Sequence, residues 1–109
     1  MQIQNVPFNN IDWSGVDKTE HRGEKGMAYW RTKEIGNLRV RIVEYSKGYV
    51  ADHWCSKGHA ILVLEGSLVT ELQDGSKAEL KSGMSYVVAD GETPHRSRTE
   101  TGATLFIVD

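Results

Sequence analysis

The regular spacing of glycine is the feature that most restricts the fold of this chain. Eight glycines divide the sequence at intervals of 8 to 12 residues, namely Gly36, Gly48, Gly58, Gly66, Gly75, Gly83, Gly91 and Gly102. Short strands separated by turn signals at such intervals are typical of an all-β sandwich or barrel. The segments between the glycines share no residue pattern, so the spacing does not indicate a sequence repeat.

Runs of strand-forming residues lie between these glycines, and no window keeps apolar residues at helical spacing over three turns. The predicted strands cover residues 38–45, 60–64, 67–72, 77–80, 85–89 and 103–108. The pair Asp74-Gly75 predicts a hairpin turn between the third and fourth of these strands. We therefore expect an all-β fold with little helix.

The first 25 residues differ in character from the rest, because they are rich in turn-forming and charged residues. We interpret residues 1–25 as an N-terminal arm packed on a barrel formed by residues 26–109. Two large aromatic residues, Trp13 and Phe8, are expected to tie the arm down.

Composition excludes several classes of function. The 109 residues suit one domain, and 13 basic against 15 acidic residues leave a net charge of −2 without a basic stripe, which counts against nucleic acid as a partner. The longest apolar run, residues 60–64, is too short to span a bilayer, and the N-terminus lacks a signal-peptide layout. A single cysteine excludes an intrachain disulfide and suits the cytoplasm. We expect a small-molecule ligand, no nucleic-acid or membrane partner, and a cytoplasmic location.

Three of the four histidines, together with the only cysteine, indicate a metal site. His53 and Cys55 are two residues apart, so an extended strand would place both on one face. A turn follows at 56–58, and His59 begins the next strand, while His95 arrives from a separate strand after a turn. Imidazole and thiolate bind borderline and soft divalent metals. The spacing therefore predicts one divalent ion bound by His53, His59 and His95, with or without Cys55.

The segments Gly48–Gly66 and Gly83–Arg98, about a third of the chain, resemble the two sequence motifs of the cupins. His53 and Cys55 occupy the positions of the usual His-x-His pair, His59 occupies that of the usual Glu, and His95 follows Pro94 as in the second motif. The string Asp52-His53-Trp54-Cys55 and the closing residues 105–109 further resemble a group of small cupin-fold proteins named for a motif of Asp, His, Cys and Trp.

This resemblance implies a double-stranded β-helix, that is a jelly-roll-like barrel, with one metal at its mouth and frequent homodimers. The chain departs from the cupin pattern because the carboxylate is absent and a thiol replaces one imidazole. If Cys55 binds the ion, a closed site of three histidines and one cysteine suits structural Zn²⁺. If Cys55 does not bind, three imidazoles leave open positions suited to Fe, Ni or Cu, as in the thiol dioxygenases of the cupin superfamily.

Three further residues are cavity candidates. Arg39 and Arg41 alternate with apolar residues on one predicted strand, so they form either an anion-binding rim inside the barrel mouth or, as we favour, a solvated outer face. Tyr86 shares a strand face with Met84 and Val88, and it either lines the cavity or packs in the core.

Two functions fit these features. The first is a metal-dependent enzyme, oxygenase-like, that acts on a small molecule. The second is a binding or sensing module without catalysis, in which a metal held by Cys55 and the histidines stabilises the barrel. The sequence assigns no catalytic residue and no substrate.

Overall fold

The structure is a computed structural model that describes residues 2–109, and these residues form eight β-strands and a short 3-10 helix at Trp13–Gly15. The strands are β1 (Lys18–Arg22), β2 (Met27–Ile35), β3 (Leu38–Tyr45), β4 (His59–Leu72), β5 (Lys77–Lys81), β6 (Ser85–Val88), β7 (His95–Arg98) and β8 (Ala103–Val108). The expectation of an all-β fold with little helix is confirmed.

The long strand β4 belongs to two antiparallel sheets. Its first half pairs with β8 and β6 and completes the first sheet, in which the order is β1-β2-β3-β8-β4-β6. Its second half lies between β5 and β7 and forms the second sheet. The two sheets face each other, so the space between them holds both the core and the candidate site.

A β-bulge allows β4 to pass from one sheet to the other. The register with β8 shifts between Val63 and Glu65, and Gly66 follows with a φ of 78°. A Cβ atom at Gly66 would overlap the carbonyl oxygen of Gly102, so only glycine fits here. The sequence predicted a turn that separates two strands at this position, whereas the structure has one continuous, bent strand.

Alternation along the strands directs one set of apolar side chains into the space between the sheets. Val43, Val63 and Leu105 are fully buried, and Leu68 is 1% exposed. Each such side chain contributes about 1.5–3 kcal/mol when it is removed from water. This apolar layer fixes how far apart the sheets lie and therefore where the polar residues at the barrel mouth meet.

The segment predicted as an N-terminal arm contains both the 3-10 helix and β1. Strand β1 extends the first sheet by pairing with β2, so residues 18–22 are part of its edge. Trp13 is half-buried, and its carbonyl accepts a hydrogen bond from Arg31, whereas Phe8 is 99% exposed and ties nothing down. Within the described residues, no helix is long and apolar enough to cross a membrane.

Candidate metal centre

Three predicted ligands meet between the two sheets. A sulfur of Cys55 and one nitrogen each of His59 and His95 all lie within 4.8 Å of one another. His95 is 3% exposed, and the side chain of His59 is 8% exposed. The cluster therefore combines a soft donor with two borderline donors, and water reaches it only to a small extent.

The two imidazole rings turn the same atom towards each other. Nε2 of His59 lies 3.0 Å from Nε2 of His95, and the rings are nearly perpendicular, at 80°. On the far side of the second ring, Nδ1 of His95 donates a hydrogen bond of 3.2 Å to the carbonyl oxygen of Thr93. On the far side of the first ring, Nδ1 of His59 lies 3.6 Å from a carboxylate oxygen of Asp109.

Strand pairing explains how His59 comes to face Asp109. Residues Ala60 and Val108 are paired in the β4–β8 register, so His59 and Asp109 occupy the next position on the inner face. Asp109 also exchanges both backbone hydrogen bonds with Arg39, at 2.6 and 2.8 Å. One row across the first sheet therefore carries a guanidinium, a carboxylate and an imidazole.

Cys55 reaches the cluster by a different route. It forms an isolated antiparallel bridge with His95, at the edge of the second sheet. Directly opposed residues in such a bridge point to the same face, so the thiol lies beside the imidazole.

The structure does not bring His53 to this cluster, and the predicted three-histidine set is wrong in this respect. Residues 52 and 53 form a bend, so the alternation that would place His53 on the face of Cys55 is interrupted. The side chain of His53 is 75% exposed, and its Nδ1 lies 2.6 Å from the carboxylate of Asp52.

The favoured interpretation of Arg39 and Arg41 as a solvated outer face is also wrong. Arg41 is 5% exposed and lies over the ring of Trp30, with its guanidinium 4.4 Å from the ring centroid. Both arginines bind the carboxylate of Asp109, which is 1% exposed: Arg39 through two hydrogen bonds of 2.8 and 2.9 Å, and Arg41 through one of 3.0 Å. They point into the barrel mouth, where a carboxylate of the chain itself neutralises part of their charge.

Tyr86 lines the candidate site rather than only packing in the core. Its hydroxyl lies 3.2 Å from Nε2 of His59. Burial raises the pKa of Tyr86 to about 12, although hydrogen bonds with Thr70 and Ser97 act in the opposite direction. At neutral pH the hydroxyl is therefore protonated and can donate a hydrogen bond into the site.

A cavity of about 380 Å³ opens next to the cluster, and its polar lining consists of Thr70, Tyr86, Glu92, Thr93 and His95. Its apolar wall includes Leu72 and Val88. Ligand sites for small molecules commonly have about this volume and this mixture of walls.

The surroundings lower two further pKa values. The lower pKa disfavours the charged form of His95 and favours the charged form of Asp109. Burial lowers the pKa of His95, the hydrogen bond to Thr93 partly offsets this, and any positive charge on His59 would lower the pKa further. Burial alone would raise the pKa of Asp109, but His59 and Arg39, together with the charge of Arg41, hold it well below its usual range. At neutral pH, His95 is therefore a neutral imidazole and Asp109 is a carboxylate.

The donor geometry fits a divalent metal. Two imidazole ligands at about 2.0–2.1 Å from one ion lie about 3 Å apart, and the observed separation of the two Nε2 atoms is 3.0 Å. The outer nitrogen of each ring also faces an acceptor, as in most metal-binding histidines: Nδ1 of His95 donates to the carbonyl of Thr93, and Nδ1 of His59 faces the carboxylate of Asp109 at 3.6 Å. Cys55, His59 and His95 could therefore hold one ion.

Comparison with solved structures identifies the fold. The sugar phosphate isomerase of the cupin superfamily from Silicibacter pomeroyi is similar, with a TM-score of 0.70 and 15% identity over 92% of this chain and 74% of that one. Ectoine synthase from P. lautus gives a TM-score of 0.74 with 15% identity over 93% and 76% of the two chains. The polyketide cyclase RemF from Streptomyces resistomycificus gives 0.72 with 20% identity over 94% and 78%.

This chain is accordingly a small cupin-fold protein, as its two motifs predicted. No protein-family model matches the sequence, and no curated protein matches it either. At these identities the likeness establishes the fold alone, so the site must be interpreted from its own residues.

Proposed function

We propose that Cys55, His59 and His95 bind one divalent metal ion and that the protein is a metal-dependent enzyme acting on a small molecule. The observation that carries this proposal is the pair of Nε2 atoms 3.0 Å apart, each on a ring whose other nitrogen faces an acceptor. A carbonyl and a carboxylate can only accept hydrogen bonds, so both rings are expected to carry their proton on Nδ1. Each Nε2 then directs a lone pair at the other. The hydroxyl of Tyr86 can donate to Nε2 of His59, but a cation between the rings satisfies both lone pairs.

A competing arrangement is a hydrogen bond between the two rings. It requires either that one ring moves its proton to Nε2, which would leave a bare Nδ1 facing the carboxylate of Asp109 or the carbonyl of Thr93, or that one ring becomes an imidazolium. Burial lowers the pKa of His95, which disfavours the second possibility for that ring. A metal ion avoids both costs.

The number of donors favours an open site over a closed one. With His53 outside the cluster, three protein donors remain, and three protein ligands plus one exchangeable position are typical of catalytic zinc. A thiolate with two imidazoles suits Zn²⁺ or Fe²⁺ better than a hard cation. Such an ion supplies Lewis acidity and lowers the pKa of a bound water.

The oxygenase-like prediction rested on three imidazoles with a redox-capable thiol nearby, and the cluster contains the thiol but only two of these imidazoles. The structural relatives are named as an isomerase, a synthase and a cyclase. Those names belong to proteins that share only the fold, and for this chain it is the cysteine-containing donor set that favours Lewis-acid chemistry on a small molecule over oxygenation.

Residues of the chain would orient the ligand and exclude water. The cavity places the hydroxyl of Tyr86 next to the cluster, where it can donate a hydrogen bond to an oxygen or nitrogen of a ligand. Leu72 and Val88 contribute apolar surface to the same cavity. This combination suits a small molecule with one polar end and one apolar end.

Metal stoichiometry tests the proposal. We expect the untagged protein to bind one Zn²⁺ or Fe²⁺ per chain in calorimetric titration, and His59→Ala and His95→Ala to abolish tight binding. His53→Ala is the matched control, because it removes an imidazole from the same motif but from outside the cluster. Equal loss of binding in His53→Ala, or no binding by the wild-type protein, would contradict the proposal.

A non-catalytic, metal-stabilised module is a second candidate, and the bridge between Cys55 and His95 favours it. An ion there would cross-link the loop before β4 to both sheets. Cobalt-substituted protein separates the candidates, since azide can change the visible spectrum only if a coordination position is open. An unchanged spectrum, combined with a fall in melting temperature on chelation, would support the structural role.

Two further predictions accompany the proposal. A free thiol that serves as a ligand suits a reducing compartment such as the cytoplasm. The homodimer implied by the cupin resemblance also remains a prediction.

A further inference from the structure

The carboxylate of Asp109 is the most heavily engaged charged group near the cluster. It accepts hydrogen bonds from Nε and an Nη of Arg39 and from an Nη of Arg41, and its side chain is 1% exposed. Among the described residues, Nδ1 of His59 also faces it, at 3.6 Å. That nitrogen is buried and has no hydrogen-bond partner among the described residues.

We infer that Asp109, held in place by the two arginines, is a positioning residue that keeps His59 in the Nδ1-protonated tautomer and so presents Nε2 to the metal. The presentation of Nε2 to a metal rests on the proposed function, whereas the tautomer of His59 can be measured in the metal-free protein. Asp109 is not one of the clustered donors, so its role is exerted through His59.

The chemistry of the carboxylate determines which nitrogen of His59 carries the proton. An ionised carboxylate only accepts hydrogen bonds, so a proton on Nδ1 of His59 is attracted and a bare lone pair is repelled. The gap of 3.6 Å exceeds hydrogen-bond length by about half an ångström, which a small tilt of the ring can close. A carboxylate behind a metal-binding histidine also makes the other nitrogen a better ligand.

The arginines make this arrangement possible. A carboxylate that is 1% exposed would be costly without partners, and a neutral carboxyl could donate a proton to His59 as readily as accept one. Arg39 holds it through two parallel hydrogen bonds, which fix the plane of the carboxylate as well as its charge. Arg39 and Arg41 therefore act on the carboxylate of Asp109.

Long-range ¹H–¹⁵N correlation spectra of the metal-free protein test the tautomer directly. At about pH 8, where imidazoles are neutral, we expect wild-type His59 to carry its proton on Nδ1. In Asp109→Asn the amide can donate as well as accept, so we expect a mixture of tautomers and a loss of Zn²⁺ affinity of about 10- to 100-fold.

Glu71→Gln is the matched control. Glu71 is also a carboxylate between two arginines, bound to Arg98 at 2.8 Å with Arg96 at 3.9 Å, but it lies in the second sheet and is not part of the cluster. This variant should leave both the tautomer of His59 and the Zn²⁺ affinity unchanged.

The outcomes separate this inference from the proposed function. An Nε2-protonated His59 in the wild-type spectrum overturns the role of Asp109, and this result does not require any variant to fold. A folded Asp109→Asn variant with an unchanged tautomer and Zn²⁺ affinity within twofold of wild type overturns it as well. If the wild-type protein has the Nδ1 tautomer but binds no metal, the proposed function fails and the positioning by Asp109 stands.

Discussion

Cys55 and His95 are 40 positions apart in the sequence, yet they are joined by two backbone hydrogen bonds of 2.7 and 3.0 Å. The bridge fixes the backbone of Cys55 against β7. Because bridged residues point their side chains to the same face, the thiol lies beside the imidazole of His95. The side chain of Cys55 can therefore be changed with little effect on the backbone that carries His95.

Cys55→Ser tests whether the sulfur is a ligand. Serine is close in size but is a poor ligand for Zn²⁺, so we expect Zn²⁺ affinity to fall by tenfold or more, about 1.4 kcal/mol. In the Co²⁺-substituted protein, the near-ultraviolet band from sulfur to metal should disappear. A retained band or unchanged affinity would show that only the two histidines hold the ion.

The pH at which metal is released should reflect the burial of His95. Imidazole must be neutral to bind a metal, so affinity falls as the pH drops through the pKa of the ligand. An ordinary histidine would place that fall near pH 6.5. Because burial lowers the pKa of His95, this ring stays neutral to lower pH, and we expect release below that value. Metal analysis after equilibrium dialysis between about pH 4 and 8 measures this, and release above pH 7 would contradict it.

The sequence predicted the strands and two of the histidines because these features depend on local patterns. Strands β3 and β8 begin and end where alternation predicted, and His59 and His95 each stand at the start of a strand. The prediction of His53 failed because it assumed an extended chain through Asp52 and His53, where the structure bends. No apolar alternation surrounds these residues to hold the strand register.

Asp109 was missed, although the sequence contained a signal for it. Alternation in β8 places Leu105 and Ile107 on the inner face, and continuing the pattern places Asp109 there too. An acidic residue that follows two core residues at this spacing needs a buried partner, and Arg39 and Arg41 alternate in the same way on β3. What the sequence could not reveal is that β3 and β8 are neighbours, since this pairing joins residues about 70 positions apart.

Gly58→Ala should displace His59 without touching the cluster. A Cβ atom at Gly58 would lie 2.5 Å from the backbone nitrogen of Asp90 and 2.8 Å from the carbonyl carbon of Ala89, and backbone atoms there cannot rotate away. We expect a loss of stability of roughly 1–3 kcal/mol and weaker Zn²⁺ binding, measured by urea unfolding and calorimetry. Gly15→Ala is the control, because nothing lies within 4 Å of its added Cβ. Equal stability of the two variants would show that the loop adjusts freely.

Tyr86 should make the metal-free protein lose stability at alkaline pH. Its pKa is raised to about 12, mainly by burial, whereas an unfolded tyrosine has a pKa of about 10. Between these values the unfolded chain releases the proton and the native protein keeps it. The stabilisation is therefore fully present below about pH 10 and is lost as the pH rises through the folded pKa, by roughly 2–3 kcal/mol.

Urea unfolding of the metal-free protein at a series of pH values from about 9 to 11.5 measures this loss. Tyr86→Phe should reduce the slope of the unfolding free energy against pH. A smaller slope should remain because burial also raises the pKa of Tyr45. Tyr29→Phe, in β2 near the sheet edge, is the control and should follow the wild-type curve. If Tyr86→Phe follows the wild-type curve as well, the native hydroxyl ionises with the ordinary tyrosine pKa of about 10. That result would contradict the raised pKa and the burial that causes it, although the hydroxyl would still be protonated at neutral pH.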